Sequence, residues 1–440
     1  MSGIAEVLLN LGYKVSGSDL VESEATRRLT SMGADVSYGH KAGNIGAARV
    51  VVVSSAVKEE NPEVVAARET GVPVIPRAVM LAELMRLKWG IAISGTHGKT
   101  TATTLVAHVL AQSGLDPTAV IGGKVNAFGS NAKLGEGRFI VAEADESDGS
   151  FTHLTPVIAV VTNIDPEHMD YYGSEEKLLN AFVEFANSIP FYGLAALCMD
   201  CENVRNILGR IEKRAVTYGT SHQADFRAVD IRPEGLNYRF NVRYRDEELG
   251  EIVLPAPGTH NVLNALAAVV VGLDLEIPFD DIRKGIAAYE GIDRRFQIKH
   301  DSKDLTVVDD YAHHPAEIRA TLAAARTAYK ESRIVAVFQP HRYTRTRDMH
   351  REFNDAFDEA DVLILTDIYA AGEDPISGIT GETIFRDIKE AGHKSATYVP
   401  ELSDIVPLLR QTVKSGDLIM TLGAGNIFKV GEKFIEEMDK

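Results

Sequence analysis

Residues 91–101, Ile-Ala-Ile-Ser-Gly-Thr-His-Gly-Lys-Thr-Thr, constrain this chain more than any other segment. A short apolar run enters a turn with two glycines, and the stretch TTATTLVAHVLAQ follows at once as an expected amphipathic helix. Strand, glycine turn and helix in that order are one half of a parallel α/β unit, since parallel strands need a crossover. The same order makes an anion cradle, because backbone N–H groups at the turn and the positive helix end both favour phosphate. Lys99 is long enough to reach β- and γ-phosphates, and the Thr100 hydroxyl suits Mg²⁺. A helix that merely starts after a glycine turn has no need of Gly, Lys and Thr in register behind a strand. Gly95, Thr96, His97, Gly98, Lys99, Thr100 and Thr101 are therefore the candidate phosphate-binding residues. Lys99 is expected at a solvent-facing turn, so that its loss removes activity and spares the fold. One departure stands: the general G-x-x-x-x-G-K pattern wants glycine at position 93, which is Ile93 here.

The alternation of short β-branched runs with helical stretches extends along the whole chain. At 440 residues, two or three domains are expected. In 1–88, an opening helix (GIAEVLLNLG) precedes strands at 14–18 and 49–53 and helices at 22–33, 61–70 and 78–87. In 89–293, the runs 138–144 and 157–163 read as buried parallel strands. Polar–apolar alternation over 225–254 then reads as an antiparallel patch, with helices at 260–272 and 279–289 behind it. In 294–440, strands are expected at LTVVDD, RIVAVF, DVLILT and DLIMTLG, with helices at 315–328, 381–391 and 401–413.

Composition excludes several function classes. Apolar residues make up 45% and charged residues 25%, the balance of a soluble globular enzyme. No apolar run approaches the roughly 18 residues of a membrane span, and the first residues lack a basic region and cleavage site. The expectation is a cytoplasmic protein without membrane insertion. With 46 Lys and Arg against 63 Asp and Glu, the net charge of −17 argues against a nucleic-acid partner. Cys198 and Cys201 form a C-x-x-C with no second ligand pair and no thioredoxin-like surroundings, and read as incidental thiols.

Two more strand ends carry metal-ligand types. RFIVAEADESD puts Glu143 at the end of one apolar run, and VVTNIDPEHMD puts His168 just past another. Parallel sheets collect ligands beyond the carboxyl ends of their strands. A carboxylate with the Thr100 hydroxyl suits Mg²⁺, whereas an imidazole favours Mn²⁺. Either residue alone reads equally as a solvated or capping side chain.

Taken with GTHGKTT, AEADESD and TNIDPEHMD, the runs PGTHNVLNALAA (257–268), DRRFQ (293–297), DDYAHHP (309–315) and FQPHRYTRTRD (338–348) resemble the Mur ligase family over nearly the whole chain. The last two point to its alanine-adding branch. The resemblance implies an α/β fold in three domains. These are a Rossmann-like N-terminal domain for the UDP-sugar (1–88), a central P-loop ATPase-like domain with an antiparallel patch (89–293), and a C-terminal Rossmann-like α/β domain closing over the nucleotide (294–440). It implies ATP with Mg²⁺ or Mn²⁺, and the small-molecule substrates UDP-N-acetylmuramate and L-alanine. It assigns Lys99, Glu143 and His168 to catalysis, and Thr100, Glu143 and His168 to metal. His260, Asn261 and Asn264 fall beside the adenine, Arg295 and Asp310 at the nucleotide, and His341, Arg342 and Arg345 at the amino acid or its acceptor. Ordinary readings stand beside these: Asn261 as a helix cap, Arg295 in a surface ion pair, 341–345 as a solvated basic turn. Several relatives carry a carbamylated lysine where this chain has Val183, and the alanine-adding branch is expected to lack it.

By the same resemblance, the lactyl carboxylate attacks the γ-phosphate to give an acyl phosphate, and the amine of alanine then displaces phosphate. His313 and His314 are candidate bases by type alone. A ligase that attaches a preformed peptide to the same sugar, and a catalytically silent nucleotide-binding protein, are the alternatives. Oligomeric state is left open. Family members usually begin with a strand and a G-x-G-x-x-G turn ahead of the helix that here starts at Ser2. Met1 stands where that turn should end, so impaired UDP-sugar binding is expected of the chain as written.

Overall fold

The computed structural model describes residues 1–54, 56–125 and 130–438. Its backbone divides into two compact units. One comprises Met1–Ile231, Phe240–Leu254 and Asn261–Glu290, and the other Arg232–Arg239, Pro255–His260 and Gly291–Lys440.

A ten-stranded sheet dominates the first unit. From edge to edge it runs Glu247–Leu254, Asn237–Tyr244, Phe226–Glu234, Ala215–Gly219, Leu194–Cys198, Ile158–Val161, Trp89–Ser94, Phe139–Glu143, Thr118–Val125 and Ser130–Lys133. Trp89–Ser94 lies near its middle and pairs in parallel with Phe139–Glu143 on one side and Ile158–Val161 on the other. All three strands are apolar almost throughout because both of their faces are covered. Ala92, Ala142, Ala159 and Leu197 share one core with Phe182 and Phe185 of the helix Glu175–Asn187.

The helix after the glycine turn, Lys99–Gln112, departs from the amphipathic expectation. Every residue from Thr100 to Leu110 is buried, so it carries no solvent face. It packs between the sheet and the helix Phe279–Ala287. Gly285 makes that approach possible: a Cβ there would stand 2.7 Å from the Val109 Cα. The antiparallel patch is present as Phe226–Glu234, Asn237–Tyr244 and Glu247–Leu254. Two-residue links join these neighbours, which only antiparallel strands can use, and Gly235 and Arg245 supply the positive φ such turns need.

Among the described residues, 1–88 hold four short strands in two separate parallel pairs, Ser16–Asp19 with Asp35–Tyr38 and Val51–Val53 with Val74–Pro76. The opening helix, Ser2–Asn10, sends Ile4 and Val7 into the large core, and its buried Glu6 pairs with Arg28 at 3.2 Å.

The second unit is built on a six-stranded sheet ordered Gln297–Asp301, Leu305–Asp310, Asp417–Leu422, Ile334–Phe338, Val362–Leu365 and Ala396–Tyr398. Alternate residues serve opposite cores, as the period of a strand requires. Val308, Ala336 and Phe338 meet Phe353 and Phe357, while Val307, Val335 and Val337 meet Ile405, Leu409 and Phe434. The edge strand Gln297–Asp301, antiparallel to its neighbour, was not anticipated, because QIKHD lacks an apolar face.

Candidate active site

Trp89–Ser94 delivers the chain into a loop that two neighbouring residues clamp. His97 N–H donates to Asn163 Oδ1 at 2.8 Å, and the Asn163 amide returns a bond to His97 O at 2.9 Å. Thr162 Oγ1 also donates to His97 O, at 2.6 Å, and Asp165 N–H donates to Thr96 Oγ1 at 2.8 Å. Both glycines are dictated by geometry. Gly95 has φ +135° and Gly98 φ +81°. A Cβ on Gly95 would lie 2.1 Å from Thr162 Oγ1, and one on Gly98 2.5 Å from Asn264 Oδ1. Asn163 and Thr162 have no place in the motif reading; they come from the end of the adjacent strand, in VVTNID.

Lys99 does not stand at a solvent-facing turn. Its side chain is 17% exposed and pairs at 2.9 Å with Glu146, which is 2% exposed. Its other hydrogen bonds go to Gly95 O at 2.5 Å and Thr96 O at 3.1 Å. Burial alone would lower the Lys99 ammonium, but the Glu146 and Asp145 carboxylates outweigh it and hold the group above its ordinary value. Burial pushes the Glu146 carboxyl up, and Lys99 pulls it back only part of the way. Glu146 is the second glutamate of AEADESD. Strand-end logic singled out the first, Glu143, and missed it.

Glu143 accepts a bond from Gly122 N–H at 2.7 Å and is near enough to contribute to the charge on Lys99. His168 is held with φ +58°, a conformation unusual outside glycine and asparagine, at the start of the short helix Met169–Tyr172. Its Nε2 lies 3.9 Å from Glu146 Oε1 and 3.7 Å from Glu167 Oε2. Thr100 and Thr101 are buried in the first turn of the phosphate-loop helix. Asn264, 5% exposed, donates to Asn261 Oδ1 at 3.2 Å on the helix Thr259–Asp274, and so sits against the loop at Gly98. The first unit thus gathers Gly95 to Thr101, His168 and Asn264 around the loop. Val183 packs on the apolar core and Lys177 is exposed.

His260, exposed, belongs to the second unit, as do Arg295, Asp310, His341, Arg342 and Arg345. Asp310 is buried with both oxygens engaged, accepting from Phe296 N–H and Ala312 N–H at 2.7 Å each. Burial pushes its carboxyl up to about 6, against the pull of Arg295. The two arginines of DRRFQ divide. Both guanidinium groups lie over the Tyr311 ring, but Arg294 pairs with buried Asp309 at 3.0 Å and donates to Gly423 O and Gly425 O, whereas Arg295 is 3.9 Å from Glu317.

Four rings follow one another beyond these strands. Tyr311 meets His313 at 5.3 Å between centroids, His313 meets His341 at 5.6 Å, and His341 stacks on Tyr369 at 5.7 Å. Arg345 reaches His341 Nδ1 at 3.3 Å. An arginine can only donate, so Nδ1 is the acceptor and the ring proton sits on Nε2. Burial, with His313 and the arginines 345, 342 and 294 around it, takes the His341 imidazole down to about 3. His313 Nδ1 faces Tyr311 O at 2.9 Å, with Glu317 at 3.3 Å, which leaves Nε2 as the basic nitrogen. His314 is spent on structure: its Nδ1 accepts from Ala316 N–H and caps the helix Pro315–Ala328. Arg342, with φ +68°, bonds through its N–H to Tyr369 O at 2.9 Å.

Comparison with known proteins shows the family. The family descriptions "Mur ligase family, catalytic domain", "Mur ligase middle domain" and "Mur ligase, glutamate ligase domain" match residues 1–89, 93–272 and 294–425. The UDP-N-acetylmuramate–L-alanine ligase of Geotalea daltonii is 56% identical over 438 residues, covering 100% of this chain and 95% of the relative. That of Pelobacter propionicus is 56% identical over 441 residues, covering 100% and 96%. The crystal structure of the UDP-N-acetylmuramate–alanine ligase of Thermotoga maritima superposes with a TM-score of 0.86 at 28% identity, covering 100% of this chain and 96% of that one. The chain belongs to the Mur ligase family.

Proposed function

We propose that this chain forms the amide between the lactyl carboxylate of UDP-N-acetylmuramate and L-alanine, with ATP converted to ADP and phosphate, in the cytoplasmic synthesis of peptidoglycan precursors. The observation that carries this reading is identity of 55–56% over essentially the full length to relatives named for that reaction. Those relatives favour it over attachment of a preformed peptide. Among the described residues no helix is long and apolar enough to cross a membrane.

The chemistry follows from the loop. The lactyl carboxylate attacks the γ-phosphorus, the bond to the β,γ-bridging oxygen breaks, and ADP leaves with an acyl phosphate behind it. The amine of alanine then attacks the acyl carbon, and inorganic phosphate departs as the amide forms. Lys99 and the N–H groups at the start of its helix neutralise charge on the transferring group, while the remaining contacts hold the reactants in line. The alanine ammonium must lose a proton before it attacks. His313, with a basic Nε2 and Glu317 behind its Nδ1, is better arranged for this than His314. Asn261, Asn264 and His260 are assigned to the adenine, Arg295 and Asp310 to the nucleotide, and His341, Arg342 and Arg345 to the amino acid or its acceptor.

Among the described residues no three His, Cys, Asp or Glu side chains form a metal cluster. The oxygens of Thr100 and Glu143 nevertheless fit Mg²⁺, which takes few protein ligands and fills its shell with water and phosphate oxygens. His168 is the assigned third ligand. Such an ion would offset the negative charge of the phosphates.

The test is sustained turnover of ATP to ADP, many equivalents per enzyme, that requires both UDP-N-acetylmuramate and L-alanine. ATP and the UDP-sugar alone should also yield a species that hydroxylamine traps. ADP release indifferent to either substrate defeats the reading, and absence of trapping defeats the acyl phosphate.

A further inference from the structure

Glu146 has no part in the assignments above, yet its carboxylate holds the reactive end of the loop lysine. A lysine ammonium has three donor hydrogens and no acceptor. Those of Lys99 are engaged by Gly95 O, Thr96 O and the Glu146 carboxylate, at 2.5, 3.1 and 2.9 Å. A phosphate oxygen can therefore gain a hydrogen from Lys99 only by exchange with one of them.

The two carbonyls cannot readily yield. Gly95 is closed in by Thr162, and Thr96 is tied through its N–H to Asn163 O at 3.2 Å and through its hydroxyl to Asp165. Glu146 is the one acceptor that carries charge, and its bond to an ammonium is of the stronger, charge-assisted kind. Its backbone is anchored as well: Glu146 O accepts from Tyr172 O–H at 2.5 Å and from Gly149 N–H at 3.0 Å.

We propose that Glu146 is a built-in rival of phosphate for Lys99, a positioning residue that keeps the lysine aimed into the loop and weakens its grip on nucleotide phosphates. The carboxylate and the phosphate bear the same sign of charge and seek the same three hydrogens, so each loosens the other. A loop that turns over needs such a limit, because ADP has to leave. This inference rests on reading residues 95–101 as the phosphate site.

The test is calorimetric binding of ADP and of adenosine in EDTA, to the parent chain and to Glu146→Gln. The amide still accepts from Lys99 but without charge. ADP should bind the variant roughly fivefold tighter or more, and adenosine, which has no phosphate, should bind both alike. Glu146→Asp, which withdraws the carboxylate by one methylene, should show a smaller gain in the same direction and decides the matter if the glutamine variant does not fold. ADP binding no tighter, or adenosine shifting in step with ADP, overturns the rivalry. Failure of ADP to bind the parent chain overturns the phosphate-loop reading itself.

Discussion

Lys99 and His341 each follow a buried parallel strand, Trp89–Ser94 in one unit and Ile334–Phe338 in the other, but the chain holds them by different means. Around Lys99 the structure is mostly backbone. Two glycines with positive φ, the helix start and the carbonyls of Gly95 and Thr96 set the geometry, and Asn163 fastens it. Around His341 the structure is side chain on side chain, with rings from residues 311, 313, 341 and 369 in succession and arginines at their edges. A backbone cradle recognises an anion that every nucleotide shares. A wall of rings and guanidinium groups is shaped by its side chains alone, and is the kind of surface that separates one member of a family from the next.

The comparison breaks first at Lys99. Lys99→Ala should lower turnover by several hundred-fold, corresponding to about 3–4 kcal/mol of barrier. It should also destabilise the fold by on the order of 3 kcal/mol, because Glu146 is left buried without its partner. Adding Glu146→Gln should restore most of that stability and none of the turnover. Urea melts and single-turnover kinetics on the three proteins separate the effects, and recovered turnover in the double variant would remove Lys99 from the phosphate site.

Next comes the adjacent pair Arg294 and Arg295. Arg294 is half-buried but is the partner of the buried Asp309 and bonds Gly423 and Gly425, so Arg294→Ala should cost about 3 kcal/mol of stability by leaving that carboxylate unpaired. Arg295 is 30% exposed and its Glu317 contact is 3.9 Å long, so Arg295→Ala should cost about 1 kcal/mol or less while raising KM for ATP. Denaturation midpoints and KM values that reverse this order would exchange the two roles.

How far the sequence reveals the two regions follows from the same contrast. The phosphate loop is legible because its parts lie in one short segment, in which strand, glycines, lysine and threonine each have a separate physical reason. The four inner strands of the second unit are legible too, since LTVVDD, RIVAVF, DVLILT and DLIMTLG each carry a buried apolar run, whereas its edge strands Gln297–Asp301 and Ala396–Tyr398 carry none. Glu146 was not, because burial is a tertiary fact: nothing in AEADESD distinguishes the acid that is 2% exposed from its neighbours. Nor does DRRFQ show which arginine turns inward. That depends on the positive φ at Arg294 and on carbonyls about 130 residues away. Whether His313 or His314 could act as a base was equally closed to the sequence, until the structure showed the second capping a helix.

The smallest expected effect concerns the state of His341. Its folded imidazole lies near 3, well below the 6.5 of an unperturbed histidine. As pH falls below 6.5, the unfolded chain takes up a proton that the folded chain refuses. The stability this ring contributes is therefore complete above pH 6.5 and is lost progressively as pH falls towards 3. Between pH 7.5 and 5.5 the loss from this group should be about 1 kcal/mol, after allowance for its partial exposure. His341→Asn keeps a polar side chain and abolishes that titration, so its urea midpoint should fall less across the same interval. Equal falls in parent and variant would mean that the ring titrates normally. The arginines 342 and 345 would then not be crowding a neutral imidazole, and the side-chain wall would be looser than the stacking on Tyr369 indicates.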